Sequence, residues 1–350
     1  MRVAVVGYGL GGSVFHAPLI DATDGLTLEA VVTSDPERAA AVHRRYPRTR
    51  VVASVDDLLA GDGDVDVVVV TVPNAHHFAV AEAALSAGLT TVVDKPVTPT
   101  SAEARRLACL AAERGVSVIP FHNRRWDGDY LTVAGLVRSG RLGRVWRLES
   151  RFERWRPRPS PTPTWKQDPS LAGGGILFDL GTHLVDQALH LFGRPQSVYA
   201  EMASHTGPLD DDCFVALRYS DGTAVHLWAS STAARLGPRF RVLGSEAGYV
   251  KWGMDPQETA LRAGGTPRDP GWGTATSRDA WGEIGTVEEA EQIATEPGAY
   301  QEFYAGFADH LLHGGPPPVD MADAVAGLEV LEAAVASARS GSVVPLGLAG

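Results

Sequence analysis

Lysine is almost missing from this chain. Of its 31 basic residues only Lys95, Lys166 and Lys251 are lysine. Unless these are random survivors of a codon bias towards arginine, they mark places that use a compact ammonium with a shiftable pKa rather than a guanidinium. Positive charge is scarce overall: 42 acidic residues leave a net charge of −11 and a pI of about 5.5. That balance lacks the basic footprint of a protein that grips a nucleic acid or an anionic membrane. Cysteine is confined to Cys109 and Cys213, without the spacing of a zinc site or a disulfide framework, and both read as packing residues. No apolar run approaches the roughly 20 residues of a membrane helix. The strand-like Arg2–Gly7 begins at once, without a basic leader or cleavage site. A cytoplasmic protein with neither nucleic-acid nor membrane partners is expected.

What is present suits a folded protein of two domains: 350 residues, 44% hydrophobic and 21% charged. Up to residue 121, short apolar runs at Val3–Val6, Leu28–Thr33, Val51–Val52, Val65–Val72, Thr90–Val93 and Val116–Ile119 alternate with helical stretches. This pattern predicts an α/β, doubly wound Rossmann domain over 1–121. From 122 the pattern changes to strand-like runs at Val145–Trp155, Ser197–Ala203, Cys213–Tyr219, Thr223–Ser230, Arg239–Gly244 and Tyr249–Trp252, with a turn at Ser220–Thr223. An α+β domain with a large, mostly antiparallel open sheet is expected over 122–350, serving substrate binding and oligomerisation. Its helices are expected at Ile176–Phe192, Tyr300–His313 and Asp320–Ser340, and its least structured stretches at Arg156–Pro163 and Gly264–Thr276.

Three motifs carry chemistry. Gly7, Gly9 and Gly12, with Leu10 between them, form G-x-G-x-x-G after a strand and before a helix. The first glycine permits a tight turn, the second lets backbone amides approach a pyrophosphate, and the third lets helix and strand pack closely. The second strand ends in Thr33 and Ser34, with Arg38 following, where an acid would bind the ribose 2′-hydroxyl. Two hydroxyls and an arginine favour NADP, whereas Asp35, one position on, is the acid that would favour NAD. At the carboxyl edge of the later strands stand Asp94-Lys95-Pro96 and Thr71–His77, from which Pro73, Asn74, His77 and Lys95 are expected to line the cofactor. Lys95 is also placed to bond a substrate oxygen and stabilise its developing charge. Third, Gly173-Gly174-Gly175 leads into a helix bearing Asp179, His183, Asp186, Gln187 and His190 on one stripe. Asp179 and His183 are four apart, so a carboxylate can orient an imidazole that works as acid and base near neutral pH. Asp186 and His190 read as a solvated face, and no ligand cluster completes a metal site.

Together the glycine fingerprint, Asp94-Lys95-Pro96 and Gly173-Gly174-Gly175-x-x-x-Asp179-x-Gly181-x-His183 resemble the Gfo/Idh/MocA family of NAD(P)-dependent oxidoreductases. The resemblance spans essentially the whole chain. The stretch His122-Asn123-Arg124-Arg125-Trp126-Asp127-Gly128-Asp129 looks most like its branch of NADP-dependent scyllo-inositol dehydrogenases. It implies that Lys95, Asp179 and His183 act on a sugar or cyclitol hydroxyl. Asp94 stands where the family usually has glutamate. Substrate contacts are expected from Asn123, Arg124, Trp155, Trp165 and Lys166, which offer donors and apolar faces for a sugar. Similar proteins commonly form dimers or tetramers, so a homodimer or homotetramer is expected. The alternatives are a reductase of a sugar lactone or ketosugar in the same family, a cofactor-sensing regulator without turnover, and a metal-dependent hydrolase using Asp179, His183 and His190.

Overall fold

The computed structural model describes residues 1–61, 63–158, 168–170, 172–275 and 277–347. The expected substrate contacts Trp165 and Lys166 lie outside the described residues. The chain divides into two compact units, each discontinuous in sequence. The first holds Met1–Asn123, Gln257–Trp272 and Ala299–Val325; the second holds Arg124–Pro256, Gly273–Gly298 and Ala326–Gly350. The chain thus leaves the first unit close to the expected boundary but returns to it twice, where the sequence pattern led us to expect a single cut at 121/122. The reason for the second return is apolar. Helix Gln301–His313 buries Phe303, Tyr304 and Phe307, and Phe303 meets Phe121 edge-on at 4.7 Å.

The first unit is built on six parallel strands: β1 (Arg2–Val6), β2 (Thr27–Val32), β3 (Arg50–Val52), β4 (Val67–Val70), β5 (Thr90–Asp94) and β6 (Val118–Phe121). Their order is β3-β2-β1-β4-β5-β6. β4 is four valines, all fully buried, as a central strand covered on both faces requires. Helices Pro36–Arg45 and Ser101–Arg114 fall where the sequence places them, the second ended by Gly115 at φ +68°. The order reverses between β1 and β4, and a crevice at the carboxyl ends of strands belongs at such a switch point.

The second unit contains β7 (Val145–Glu153), β8 (Ser197–Ala203), β9 (Asp212–Arg218), β10 (Ala224–Ser230), β11 (Phe240–Gly244), β12 (Gly248–Lys251), β13 (Gly282–Gly285), β14 (Ala290–Ile293) and β15 (Val344–Pro345). They form one sheet in the order β14-β13-β12-β11-β7-β10-β9-β8-β15. Only β7 and β10 pair in parallel; the other neighbours are antiparallel. Helix Thr182–Phe192 packs on β7 and β10. Several elements escape the sequence pattern, among them helices Gly128–Arg138 and Gln257–Arg262 and strands β13, β14 and β15. Helix Gly128–Arg138 buries Asp129 and Thr132 along with Tyr130, Val133, Ala134 and Leu136, so polar residues interrupt its inward face. The β14 edge strand is Ala-Glu-Gln-Ile and largely exposed, with no alternation to read. No helix among the described residues is long and apolar enough to cross a membrane.

Candidate active site

In the first unit each glycine of the fingerprint meets a different physical demand. Gly7 turns the chain at φ +96° while its N–H donates to Val32 O at 3.0 Å. Around Gly9 an added Cβ would meet nothing within 4 Å, so space lies open beside its backbone. A Cβ on Gly12 would stand 2.1 Å from Gly7 O, which only glycine avoids. Thr71, just past β4, donates its hydroxyl to Gly7 O at 2.7 Å and locks the turn at the switch point. The chain then enters a π-helical turn at Gly11–His16, and Leu10 is 46% exposed at its entrance. A closed turn with open space beside Gly9, ahead of a helix start, fits a dinucleotide pyrophosphate.

On the rim, β2 ends at Val32, and the exposed Ser34 follows the half-buried Thr33. Asp35 is occupied elsewhere: Oδ1 accepts from Glu37 N at 2.9 Å and Arg38 N at 3.2 Å, capping helix Pro36–Arg45. The Arg38 guanidinium is half exposed, 3.3 Å from Asp35 Oδ2. Pro73 precedes the short turn Asn74–His76, in which Asn74 is buried. His77 corrects an expectation. It is buried, with Nδ1 2.8 Å from Pro96 O and Nε2 2.8 Å from Val72 O, so it joins two loops from inside rather than facing a ligand. Lys95 is half-buried at the carboxyl end of β5, and its N–H donates to Asp94 Oδ1 at 2.7 Å. Burial opposes ionisation of Asp94, but His16, Lys95 and His77 outweigh it and hold the carboxyl at about 2. Asn123, after β6, is buried.

In the second unit the glycine triplet seats a helix start. Gly175, at φ +86°, leaves room for the Asp210 carboxylate, which accepts from Leu177 N at 2.7 Å. Leu177–Gly181 is a π-helical turn and Thr182–Phe192 is α-helical, so Asp179 and His183 straddle a change of helical pitch. Arg154, at the end of β7, reaches Asp179 Oδ2 at 3.4 Å. His183 is buried, edge-on to Phe152 with ring centroids 6.1 Å apart. Arg239 lies over the Phe152 ring at 4.0 Å and Arg124 at 5.2 Å. Gln187 ties these together, donating to Arg124 O at 2.7 Å and accepting from Arg239 at 2.9 Å.

Of the two residues expected on a solvated face, Asp186 is buried and paired, whereas His190 is exposed as expected. Asp186 is held by two nitrogens of Arg125, at 2.7 and 3.0 Å, and His190 Nδ1 lies 2.6 Å from Tyr130 OH. Arg125, from the turn before helix Gly128–Arg138, is the partner that satisfies the Asp186 charge inside the unit. Beside Arg124 and Arg239 lie the fully buried Asp127 and Asp129. Burial, with Asp129 and Asp255 nearby, outweighs Arg124 and pushes the Asp127 carboxyl well above the usual range. Lys251 is 2% exposed and donates to the carbonyls of Trp252 and Gly253, a structural use of one of the rare lysines. Trp155 is 56% exposed at the end of the strand run. Among the described residues no group of three or more His, Cys, Asp or Glu side chains is arranged to hold a metal ion. Arg154, Asp210 and Arg239 are the site neighbours that sequence reading missed. A lone arginine or aspartate carries no motif.

Known proteins agree with this architecture. Residues 1–122 match the model of the oxidoreductase family NAD-binding Rossmann fold, and 134–346 that of the oxidoreductase family C-terminal alpha/beta domain. The chain is 34% identical to the scyllo-inositol 2-dehydrogenase (NADP(+)) IolW of Bacillus subtilis, over 99% of this chain and 96% of that one. It is 38% identical to the oxidoreductase YdgJ of Escherichia coli, over 97% of this chain and 96% of the relative. The solved structure of the oxidoreductase yvaA from Bacillus subtilis superposes with a TM-score of 0.92 at 32% identity, covering 99% of this chain and 98% of that one.

Proposed function

The chain belongs to the Gfo/Idh/MocA oxidoreductase family, and from that premise we propose that it transfers a hydride between NADP and a hydroxyl-bearing carbon of a cyclitol, of the scyllo-inositol/keto-inositol type. The observation that carries the reading is the junction, within one unit, of an anion-ready glycine turn at the β1/β4 switch point with Lys95 at the end of β5. The full-length relative that is a scyllo-inositol 2-dehydrogenase supports the substrate class.

The residues divide the work. Gly7, Gly9 and Gly12 shape the pyrophosphate cradle, and the helix behind them supplies partial positive charge. Thr33, Ser34 and Arg38 receive the 2′-phosphate, since the Asp35 carboxylate that would favour a free 2′-hydroxyl is spent on the helix cap. When bound, the nicotinamide accepts or supplies the hydride. Lys95 hydrogen-bonds the reacting oxygen and stabilises its charge as the proton leaves. His183 takes that proton during oxidation and returns it during reduction, while Asp179 fixes the imidazole. Arg154 pairs with that carboxylate at 3.4 Å. Arg124 and Asn123 supply donors for the remaining ring hydroxyls. Such a base contributes about 10²- to 10⁴-fold, with charge stabilisation in addition. Assembly as a homodimer or homotetramer in the cytoplasm completes the reading.

The test pairs NADP and NAD with a panel of inositols and aldoses and follows nicotinamide absorbance. NADP reduction with scyllo-inositol is expected. Turnover with aldoses or ketosugars alone moves the substrate to the sugar branch of the family, a clear preference for NAD overturns the Arg38 argument, and no turnover with any polyol removes the substrate proposal.

A further inference from the structure

Beneath Asp94 and Lys95 lies a buried polar column that the proposed reaction leaves unused. His16 is fully buried on the π-helical turn behind the glycine loop. Its Nδ1 is 2.6 Å from Tyr304 OH and its Nε2 is 3.8 Å from Asp94 Oδ2. Tyr304 arrives from helix Gln301–His313, a segment of the same unit more than 200 residues away in sequence, and is enclosed by Phe121, Phe303 and Phe307. Asp94 completes the column: Oδ1 accepts from Lys95 N, and Oδ2 lies 2.8 Å from where a Gly11 side chain would begin.

The proton arrangement follows from burial. The Tyr304 phenol is pushed well above its ordinary pKa by burial, so it keeps its proton. His16 Nδ1 is the acceptor in reach. An imidazole that accepts at Nδ1 carries a hydrogen on Nε2, the nitrogen on the Asp94 side, 3.8 Å from Oδ2. Two polar groups, His16 and Tyr304, in an aromatic core are costly unless they answer one another. Leucine and phenylalanine would fill the same space at no such cost. A column of this kind is expected where a carboxylate must be held in one direction.

We infer that His16 and Tyr304 are positioning residues that fix the Asp94 carboxylate and, through the Lys95 N–H that it accepts, the strand end that carries Lys95. The inference deepens the reading of Lys95 as the group that bonds the reacting oxygen, and rests on it for its catalytic meaning. The charged and titratable groups facing Asp94 are His16 from the π-helical turn, His77 from helix His77–Ser86 and Lys95 from its own strand end. Tyr304 faces it through His16.

The scarcity of lysine makes the test direct, because a chain with three lysines gives few signals after reductive ¹³C-methylation. The Lys95 signal, assigned by its loss in Lys95→Met, is titrated by NMR in the full chain with Tyr304→Phe, which removes one oxygen, and with His16→Leu. A fixed carboxylate favours the ammonium, so loosening Asp94 is expected to lower the Lys95 pKa by about half a unit or more in both variants. The other lysine signals are expected to stay in place, and the NADP dissociation constant within about threefold, as for a group away from the pyrophosphate cradle. An unmoved Lys95 titration in Tyr304→Phe overturns the inference, even if Lys95→Met abolishes turnover. A shift spread over every lysine reports general loosening and overturns it too. If the Lys95 titration moves while Lys95→Met keeps wild-type turnover, the column stands and the catalytic reading of Lys95 falls.

Discussion

The glycine turn of the first unit and the polar helix of the second are both expected to bind small polar molecules, and they are made in opposite ways. The turn works with backbone: Gly7, Gly9 and Gly12 contribute conformation, empty space and close contact, all within six consecutive residues. The helix works with side chains that are buried and mutually held. Asp179 is met by Arg154, Gln187 by Arg124 and Arg239, and Asp186 by Arg125. A backbone site tolerates almost no change in place but needs few supporting residues. A side-chain site depends on partners drawn from β7, β11 and the 124–138 region.

The sharpest way to test that contrast is to remove chemistry without touching binding. His183→Ala is expected to lower kcat by about 10³-fold while the NADP dissociation constant stays within about threefold, measured by steady-state rates and fluorescence titration. Equal loss of both would place His183 in the cofactor site instead. The glycine turn should show the reverse. Gly12→Ala drives a Cβ into Gly7 O and is expected to weaken NADP by about 100-fold and to destabilise the fold by about 1–3 kcal/mol. Gly9→Ala enters open space, so stability is expected to change by less than about 0.5 kcal/mol while NADP weakens about tenfold. Thermal unfolding with ligand titration separates the two, and a stable Gly12→Ala that binds normally contradicts the backbone account.

Smaller effects test the rim and the buried charges. Arg38→Ala is expected to weaken NADP about tenfold and leave NAD unchanged, as loss of one charge-assisted contact to a 2′-phosphate would. The Asp127 carboxyl is raised in the folded protein, so the native state holds a proton that the unfolded chain releases above the usual carboxylate range. Stability therefore falls as pH rises from the unfolded pKa towards the folded one. Asp127→Asn is expected to flatten that decline in a series of melting temperatures against pH, and an unchanged slope would assign the proton elsewhere.

How much of this could be read in the chain follows from the same contrast. The parallel sheet was legible because β4 is an unbroken run of valine and the helices between strands carry their own caps, such as Thr100 before Ser101–Arg114. The glycine turn was legible because its demands fall on adjacent residues. Asp186 was misread as part of a solvated stripe because its partner, Arg125, lies about 60 residues upstream, and helical spacing says nothing about what packs on the polar side. His77 was misread because its place beside a strand end is the place of a ligand contact, while its two carbonyl partners are main-chain atoms that leave no trace in sequence. The return of helix Gln301–His313 to the first unit was hidden for the same reason, since Phe121 and Phe303 mark each other only once folded.

The central proposal is hydride transfer between NADP and a polyol carbon, with Lys95 and His183 each required for turnover. The most direct measurement is the rate of NADP reduction by scyllo-inositol in the wild-type chain, in Lys95→Met and in His183→Ala, with bound NADP quantified in each. The account predicts turnover in the wild type and its near-complete loss in both variants at full cofactor occupancy. Near-wild-type rates in both variants would contradict it.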